Sequence, residues 1–452
     1  MIPGLERRAP QPKGVPLLGH YGELRGNPLD FFLRAFREHG DVVRMRFGWV
    51  EAHLLSHPAH AKVVLQEHWQ DFSKNTPGFD KIRLVLGNGL LTSEGDFWRR
   101  QRRLMQPAFH HARLEGLANV MVKAAADLGD EWALAARAGR VVDVAEDMMR
   151  LTLRIVAETL LGTDVTGQAK DIGPAVTVVL EDVNQRSKQM FDLPLSVPTR
   201  QNRRLARALA TLDAVVLRAI AEHRQHTPSR PDLLTLLLAV RDEDTGEGMS
   251  DRQIRDEVMT IFLAGHETTA NALAWTFALL SQHPRFDGEV RDEIASVLRG
   301  ALPQFTDAPR LPRATMVVKE SMRLYPPAWI IGRYSKTPHT FGRYRVGAGS
   351  IIFISPYVIH RHPGVWSNPE GFDPDRFTPE QESQRPRFAY FPFGGGPRIC
   401  IGNAFAMLEA QLVLATLLSR FRLELLPGHT PTVQPLVTLR PKGGLPMRVR
   451  MR

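Results

Sequence analysis

The only cysteine of this 452-residue chain, Cys400, lies in the run FPFGGGPRICIGNAFA, where Phe393, Gly396, Arg398, Cys400 and Gly402 fall in the order F-x-x-G-x-R-x-C-x-G. A thiolate can serve as a metal ligand when it sits in a pocket of low dielectric and backbone N–H groups stabilise its charge. Glycines around the cysteine allow the backbone that close approach. The following AFAMLEAQLVLATLLSRF reads as a helix, so Cys400 lies near a helix N-terminus whose dipole also favours an anion. A lone cysteine is more often a small buried hydrophobe. Five matched positions within ten residues reverse those odds in favour of a ligand.

A second cluster is AGHETTA, Ala264 to Ala270, set inside a helical pattern that runs from Asp251 to about Gln282 and stops before Pro284. Ser250 and Gln253 are spaced as a capping box for its start. A glycine and two β-branched threonines are poor choices for a helix centre, costing up to about 1 kcal/mol for Gly against Ala. Such a violation is expected where function overrides propensity. The Thr268 hydroxyl can reach back to the Ala264 carbonyl, loosening the ladder and opening a groove. His266 is the rival ligand here and is read as a packed or hydrogen-bonded histidine.

Charged pairs complete the set. KESMRLYPP places Glu320 and Arg323 three apart on a helix that Pro326 ends, so both face one side. WSNPEGFDPDRF supplies Pro374 and Arg376, and DFWRRQRR carries Trp98 and Arg102 in a W-x-x-x-R spacing.

In this order and combination the motifs resemble those of the cytochrome P450 superfamily, whose haem iron takes a cysteine thiolate. The resemblance covers nearly the whole chain, from its proline-rich start to TLRPKGGLP. It implies that Cys400 is the axial ligand to the iron of haem b, that Phe393 shields the sulfur, and that Gly396 and Gly402 admit the cofactor. Trp98, Arg102, Arg333 and Arg398 would contact its propionates, with guanidinium forks suited to carboxylates. Ala264 and Gly265 would lie against the haem, Thr268 would hydrogen-bond the oxygen, and Glu267 would relay protons through water. Glu320, Arg323 and Arg376 would form a buried ion triad fixing the loop behind the cysteine. The segments expected to line the substrate pocket contain Phe79, Ile82, Leu86, Met190 and Phe191, then Ala264, Ala328, Ile330, Leu436 and Val437. They are almost all apolar, as a lipophilic ligand requires.

The implied activity is a monooxygenase that inserts one atom of O2 into a C–H bond of a lipophilic substrate, with bacterial fatty-acid and carotenoid hydroxylases as similar members and terpenoids or steroids also in range. Two alternatives are a haem-thiolate peroxygenase or isomerase, and a non-enzymatic haem sensor. The Glu267–Thr268 pair argues against the first.

The elements that must position these residues are mostly helical. Between Leu114 and His223 apolar residues recur at helical spacing, while 224–230 and 242–248 read as surface loops. Strand-like alternation occurs in VVRMRF (Val42 to Phe47), in RYRV and SIIFIS, and in the terminal MRVRMR. Sheet formation by pieces so far apart requires the first and last thirds to fold together. The expected fold class is therefore mainly α with a smaller β region, a single interleaved P450 domain over residues 1–452.

The balance of 43% hydrophobic and 23% charged residues supports a large core and excludes disorder. One cysteine forms no intramolecular disulfide, so a reducing cytoplasm is the expected compartment. The opening residues carry neither a signal peptide nor a transmembrane anchor. Arg-rich surfaces give a net charge of +10, which favours anionic partners; no zinc-finger or RNP pattern points to nucleic acid. The 52 residues after Cys400 are too few for a fused reductase, so electrons are expected from a separate ferredoxin or flavodoxin-type donor with its own reductase. Arg99, Arg100 and Arg103 are candidate contacts for it, and a monomer is expected.

Overall fold

The helical spacing in the middle of the chain corresponds to long helices at His111–Arg137, Val144–Leu161, Ala169–Ser187 and Arg200–Gln225. Their ends follow local chemistry. The Val144–Leu161 helix starts where the Asp143 side chain accepts the N–H groups of Ala145 and Glu146, and stops at Gly162, whose φ of 61° is left-handed. The computed structural model describes residues 7–162, 169–187, 189, 192–226 and 232–452. Helix Arg200–Gln225 runs two residues into the expected 224–230 loop, whose residues 227–230 lie outside the described set. The 242–248 stretch is a loop, closed by hydrogen bonds from the Gly246 N–H to the Asp242 carbonyl and from the Asp242 N–H to the Glu247 carbonyl.

Two compact units make up the chain, each from separated segments: Met1–Asp80 with Lys319–Cys400, and Lys81–Val318 with Ile401–Arg452. The first contains a five-stranded sheet in the spatial order Val42–Phe47, Val50–Leu55, Ile351–Ile354, Ile331–Ser335 and Phe72–Ser73. Val50–Leu55 runs parallel to Ile351–Ile354, with Leu54 opposite Phe353, which joins the two separated segments of this unit. Val42, Leu55, Val64, Leu65, Ile352, Ile354 and Phe391 form its core with their neighbours.

The second unit is built around the Asp251–Gln282 helix, which packs on Val144–Leu161 and on Asn403–Leu418. The Asn403–Leu418 helix is apolar on nearly every side and buried accordingly, as an interior helix must be. Each Leu or Val it buries in full contributes roughly 1.5–3 kcal/mol. The terminal MRVRMR does not join the N-terminal sheet. Its strand, Pro446–Met451, lies between Val141–Asp143 and Phe421–Leu425 in a separate three-stranded sheet. Alternation identifies a strand but carries no information about its partner. The chain is thus mainly helical with small sheets, and no helix among the described residues is long and apolar enough to cross a membrane.

Candidate active site

The long Asp251–Gln282 helix begins at Ser250, whose hydroxyl accepts the Gln253 N–H while the Gln253 side chain accepts the Ser250 N–H. Almost all its central residues are buried. Ala264 is exposed, and Gly265 and Thr268 are half-buried. Four residues apart, Ala264 and Thr268 share one face, which makes a notch in an otherwise covered helix. The Thr268 hydroxyl donates to the Ala264 carbonyl at 2.6 Å. Gly265 permits close helix packing, because a Cβ there would come within 3.2 Å of Val156. Next to it, Thr152 donates to the His266 carbonyl at 2.9 Å. The His266 ring is packed in the interior, where burial, and then the charge of Arg440, pull its pKa down to about 3. It is therefore neutral at physiological pH.

Glu267 points to the closed side of the helix. Its buried carboxylate accepts from the Thr438 hydroxyl and from Arg440 Nε, and Asn271 donates in turn to Thr438 Oγ1 at 2.9 Å. Trp275 extends the same seam by donating to the Leu439 carbonyl at 3.0 Å. Arg440 lies on the Leu439–Pro441 strand and Thr438 in the bend just before it, and both side chains reach the Glu267 carboxylate. Neither was singled out from the sequence, although both lie in TLRPKGGLP.

In the other unit, the cysteine loop folds on itself. The Cys400 N–H donates to the Phe393 carbonyl at 2.9 Å, and the Gly394 N–H to the Phe391 carbonyl at 2.9 Å. Gly396 has φ of 65°, and a Cβ there would lie 1.8 Å from the Leu65 carbonyl oxygen, so only glycine fits. Cys400 is exposed, while Phe393 and Arg398 are half-buried.

The expected ion triad is present behind this loop. Arg323 and Glu320, both fully buried, form a two-pronged pair at 2.6 and 2.8 Å. Arg376 Nε lies 3.5 Å from Glu320, a charge contact and not a hydrogen bond. Burial pushes the Glu320 carboxyl up, opposed chiefly by its bond to Arg323. Arg323 also donates to the carbonyls of His360, Pro369 and Gly371, and the Asp373 N–H reaches Glu320. His360, overlooked in the sequence, completes the link: its Nε2 accepts the Phe391 N–H at 3.0 Å. A continuous path thus runs from the triad through His360 to the start of the cysteine loop. Arg333 is buried on the Ile331–Ser335 strand and donates to the Gly332 carbonyl.

Trp98 and Arg102 occupy one face of the Gly95–Met105 helix, four residues apart, and line an open groove of about 380 Å³. Arg100 and Arg103, candidate contacts for the electron donor, are both paired within the chain. Arg103 pairs with Asp242 at 2.8 Å and Asp244 at 2.7 Å, and Arg100 reaches Asp242 at 3.4 Å. The 242–248 loop therefore neutralises much of their charge, while Arg99 pairs with Asp96 at 2.7 Å.

Of the expected pocket residues in the second unit, Ile82, Leu436 and Val437 are half-buried and Leu86 is core. In the first, Phe79 and Ile330 are half-buried and Ala328 is exposed. Met190 and Phe191 lie outside the described residues.

Residues 9–446 match the family described as cytochrome P450. Among curated proteins, the chain is 38% identical to cyclooctatin synthase of Streptomyces melanosporofaciens over 96% of its own length and 94% of that protein's. It is likewise 38% identical to pentalenene oxygenase of Streptomyces avermitilis, covering 95% and 92% of the two chains. A crystal structure titled cytochrome P450DA heme domain superposes with a TM-score of 0.91 at 28% identity, covering 99% of each chain. The chain belongs to the cytochrome P450 family. It is accordingly a haem-iron oxidoreductase that incorporates oxygen from O2.

Proposed function

We propose that this protein is a haem b monooxygenase that hydroxylates a C–H bond of a cyclic terpenoid. The names of its relatives support that substrate class, since cyclooctat-9-en-7-ol 5-monooxygenase of Streptomyces melanosporofaciens is also 37% identical over 93% of this chain. So does the apolar character of Ile82, Leu436 and Val437. The chain acts as one catalytic P450 domain over 1–452, a cytoplasmic monomer reduced by a separate ferredoxin or flavodoxin-type protein.

The observation that carries this reading is the notch at Ala264 and Thr268, small side chains uncovered midway along a buried helix. The donor set fits haem: a single exposed thiol on a loop that glycine alone can build, plus the guanidiniums of Arg102, Arg333 and Arg398. Cys400 would ligate the iron, with Phe393 over the sulfur and Gly396 and Gly402 giving close approach. Trp98 and the three arginines would hold the propionates, and Ala264 and Gly265 would leave room for the ring. The bound haem supplies oxygen activation.

The protein's own contribution is proton handling and exclusion of water. Thr268 Oγ1 holds its proton toward the Ala264 carbonyl and can turn it outward from the notch. Glu267 Oε1 accepts from Thr438 and Arg440, so protons would reach it along that hydroxyl. Glu320, Arg323 and Arg376 hold the loop that presents the thiolate.

The reduced, carbon monoxide-treated protein should show the family's red-shifted Soret band and lose it in Cys400→Ala. Cyclic terpenoids should then shift the ferric spectrum more strongly than fatty acids, carotenoids or steroids. Retention of the band in Cys400→Ala would refute the ligand assignment; preference for a fatty acid would refute the substrate class.

A further inference from the structure

We propose that His68, Asp71 and His339 form a binding site for a divalent metal ion of the zinc class, independent of the haem chemistry. All three residues belong to the unit that carries the cysteine loop. Their ligand atoms lie within 4.8 Å of one another.

Local structure explains why they converge. Trp69–Asp71 is a 3-10 turn in which the Asp71 N–H donates to the His68 carbonyl at 2.9 Å. At three residues per turn, side chains three apart lie one above the other. That geometry leaves His68 Nδ1 3.8 Å from Asp71 Oδ2. The second histidine comes from the hairpin of His339–Phe341 and Tyr344–Val346. Its ring lies over Phe72, with centroids 4.6 Å apart, and its Nε2 stands 3.1 Å from Asp71 Oδ2.

The two arms are held in place without help from a ligand. Phe72–Ser73 pairs with Tyr334–Ser335, and the Lys336 N–H donates to the Asp71 carbonyl at 2.8 Å. Four-coordinate zinc takes nitrogen and oxygen at about 2.0–2.2 Å, which puts neighbouring ligand atoms roughly 3.3–3.5 Å apart. The observed 3.1 and 3.8 Å bracket that range, and His68, at 57% exposure, can rotate to close the difference. Thr337 Oγ1 hydrogen-bonds His339 Nε2 at 3.2 Å, and this exposed hydroxyl would turn away when a metal takes that nitrogen. Two imidazoles and one carboxylate suit zinc, copper or nickel; calcium and magnesium prefer oxygen alone.

A second cluster in the same unit, Asp41 with His57 and His362, shows what argues against a metal. There His57 Nδ1 accepts the Ala59 N–H at 3.2 Å and His362 Nδ1 accepts the Gly364 N–H at 3.0 Å. Each ring must then keep its proton on Nε2, and His362 donates that proton to Asp41 at 3.0 Å. Among the described residues no backbone N–H bonds to His68 Nδ1 or His339 Nε2, so neither ring is fixed in a tautomer by the main chain; His339 Nε2 is shared only with the rotatable Thr337 hydroxyl and with Asp71. A metal there would tie the 68–73 segment to the 334–341 segment at the edge of the five-stranded sheet.

Equilibrium dialysis of the haem-loaded full chain against zinc, followed by metal analysis and thermal melts, tests the assignment. The wild type should retain one zinc per chain and melt at higher temperature with zinc present. His68→Ala, an exposed position that does not threaten folding, and Asp71→Asn should weaken binding by at least about tenfold and abolish the thermal shift. His57→Ala should bind as the wild type does. No uptake by the wild type, equal uptake by His68→Ala, or loss of uptake confined to His57→Ala would each overturn the proposal.

Discussion

Replacing Glu257 by glutamine should stabilise this protein by an amount that grows with pH. Glu257 is buried on the Asp251–Gln282 helix, where its carboxylate accepts the Leu90 N–H at 2.8 Å; beside it, Asp256 accepts the Asn88 N–H at 2.9 Å. The two adjacent acids thus pin the 87–90 loop to the helix. Burial pushes the Glu257 carboxyl from 4.5 up to about 8, against the pull of the Leu90 bond and with a further push from Asp256. A folded-state pKa above the unfolded value means that the folded protein binds the proton more tightly. The resulting stability is complete below the unfolded value of 4.5 and is lost as pH rises to about 8. At about 1.4 kcal/mol per pH unit, that interval is worth about 5 kcal/mol in full. Glutamine does not titrate, so the variant's advantage should widen by about 3 kcal/mol between about pH 5.5 and about pH 8.5. Urea unfolding of both proteins at the two pH values measures it. Any fixed cost of seating the amide is the same at both, so the change with pH is diagnostic. Parallel stability curves would show that Glu257 ionises normally and that the burial argument is wrong.

Removing Arg323 as Arg323→Ala leaves Glu320 buried without its principal partner and should cost about 3–5 kcal/mol, read by denaturation and by reduced haem content. Gly396→Ala forces a methyl into the Leu65 carbonyl from a left-handed backbone, so it should destabilise by more than about 1 kcal/mol and diminish the carbon monoxide band before global unfolding. If Glu267 relays protons, Glu267→Gln should lower product formation about 100-fold while peroxide release rises, measured as product per electron pair consumed. Thr438→Val should move the same ratio in the same direction by less.

What could be read from the sequence was local. The Ser250–Gln253 cap, the Thr268 bond to Ala264 and the Glu320–Arg323 pair all join residues within one helical turn of each other. Their geometry is set by the helix itself once the spacing is known. His360, Thr438 and Arg440 were missed because their partners lie elsewhere in the chain. His360 meets Phe391 across 31 residues and Thr438 meets Glu267 across 171, with no periodic signal to announce either contact. The same limit explains the arginines. Arg100 and Arg103 stand in the sequence as candidate donor contacts with no sign of their pairing, because nothing local reveals Asp242, which approaches Arg103 across 139 residues.

The adjacency of Glu267 and Thr268 in sequence also conceals a separation in space. Successive helix residues are turned by about 100°, so the hydroxyl lies at the open notch while the carboxylate faces the buried seam. A proton passing between them must go around the backbone. Thr438 is the one described hydroxyl bonded to the Glu267 carboxylate, and Asn271 fixes its position. Arg440, at 26% exposure, carries the same carboxylate's other bond toward the surface. Proton delivery should therefore respond to Thr438 and Arg440 as well as to the two residues of the motif. Removing Arg440 as Arg440→Gln leaves the Thr438 bond in place and takes away the charge that holds Glu267 on the closed side. If that charge restrains the relay, Arg440→Gln should alter the peroxide-to-product ratio with substrate affinity unchanged; a ratio identical to that of the wild type would leave Arg440 a structural clasp alone.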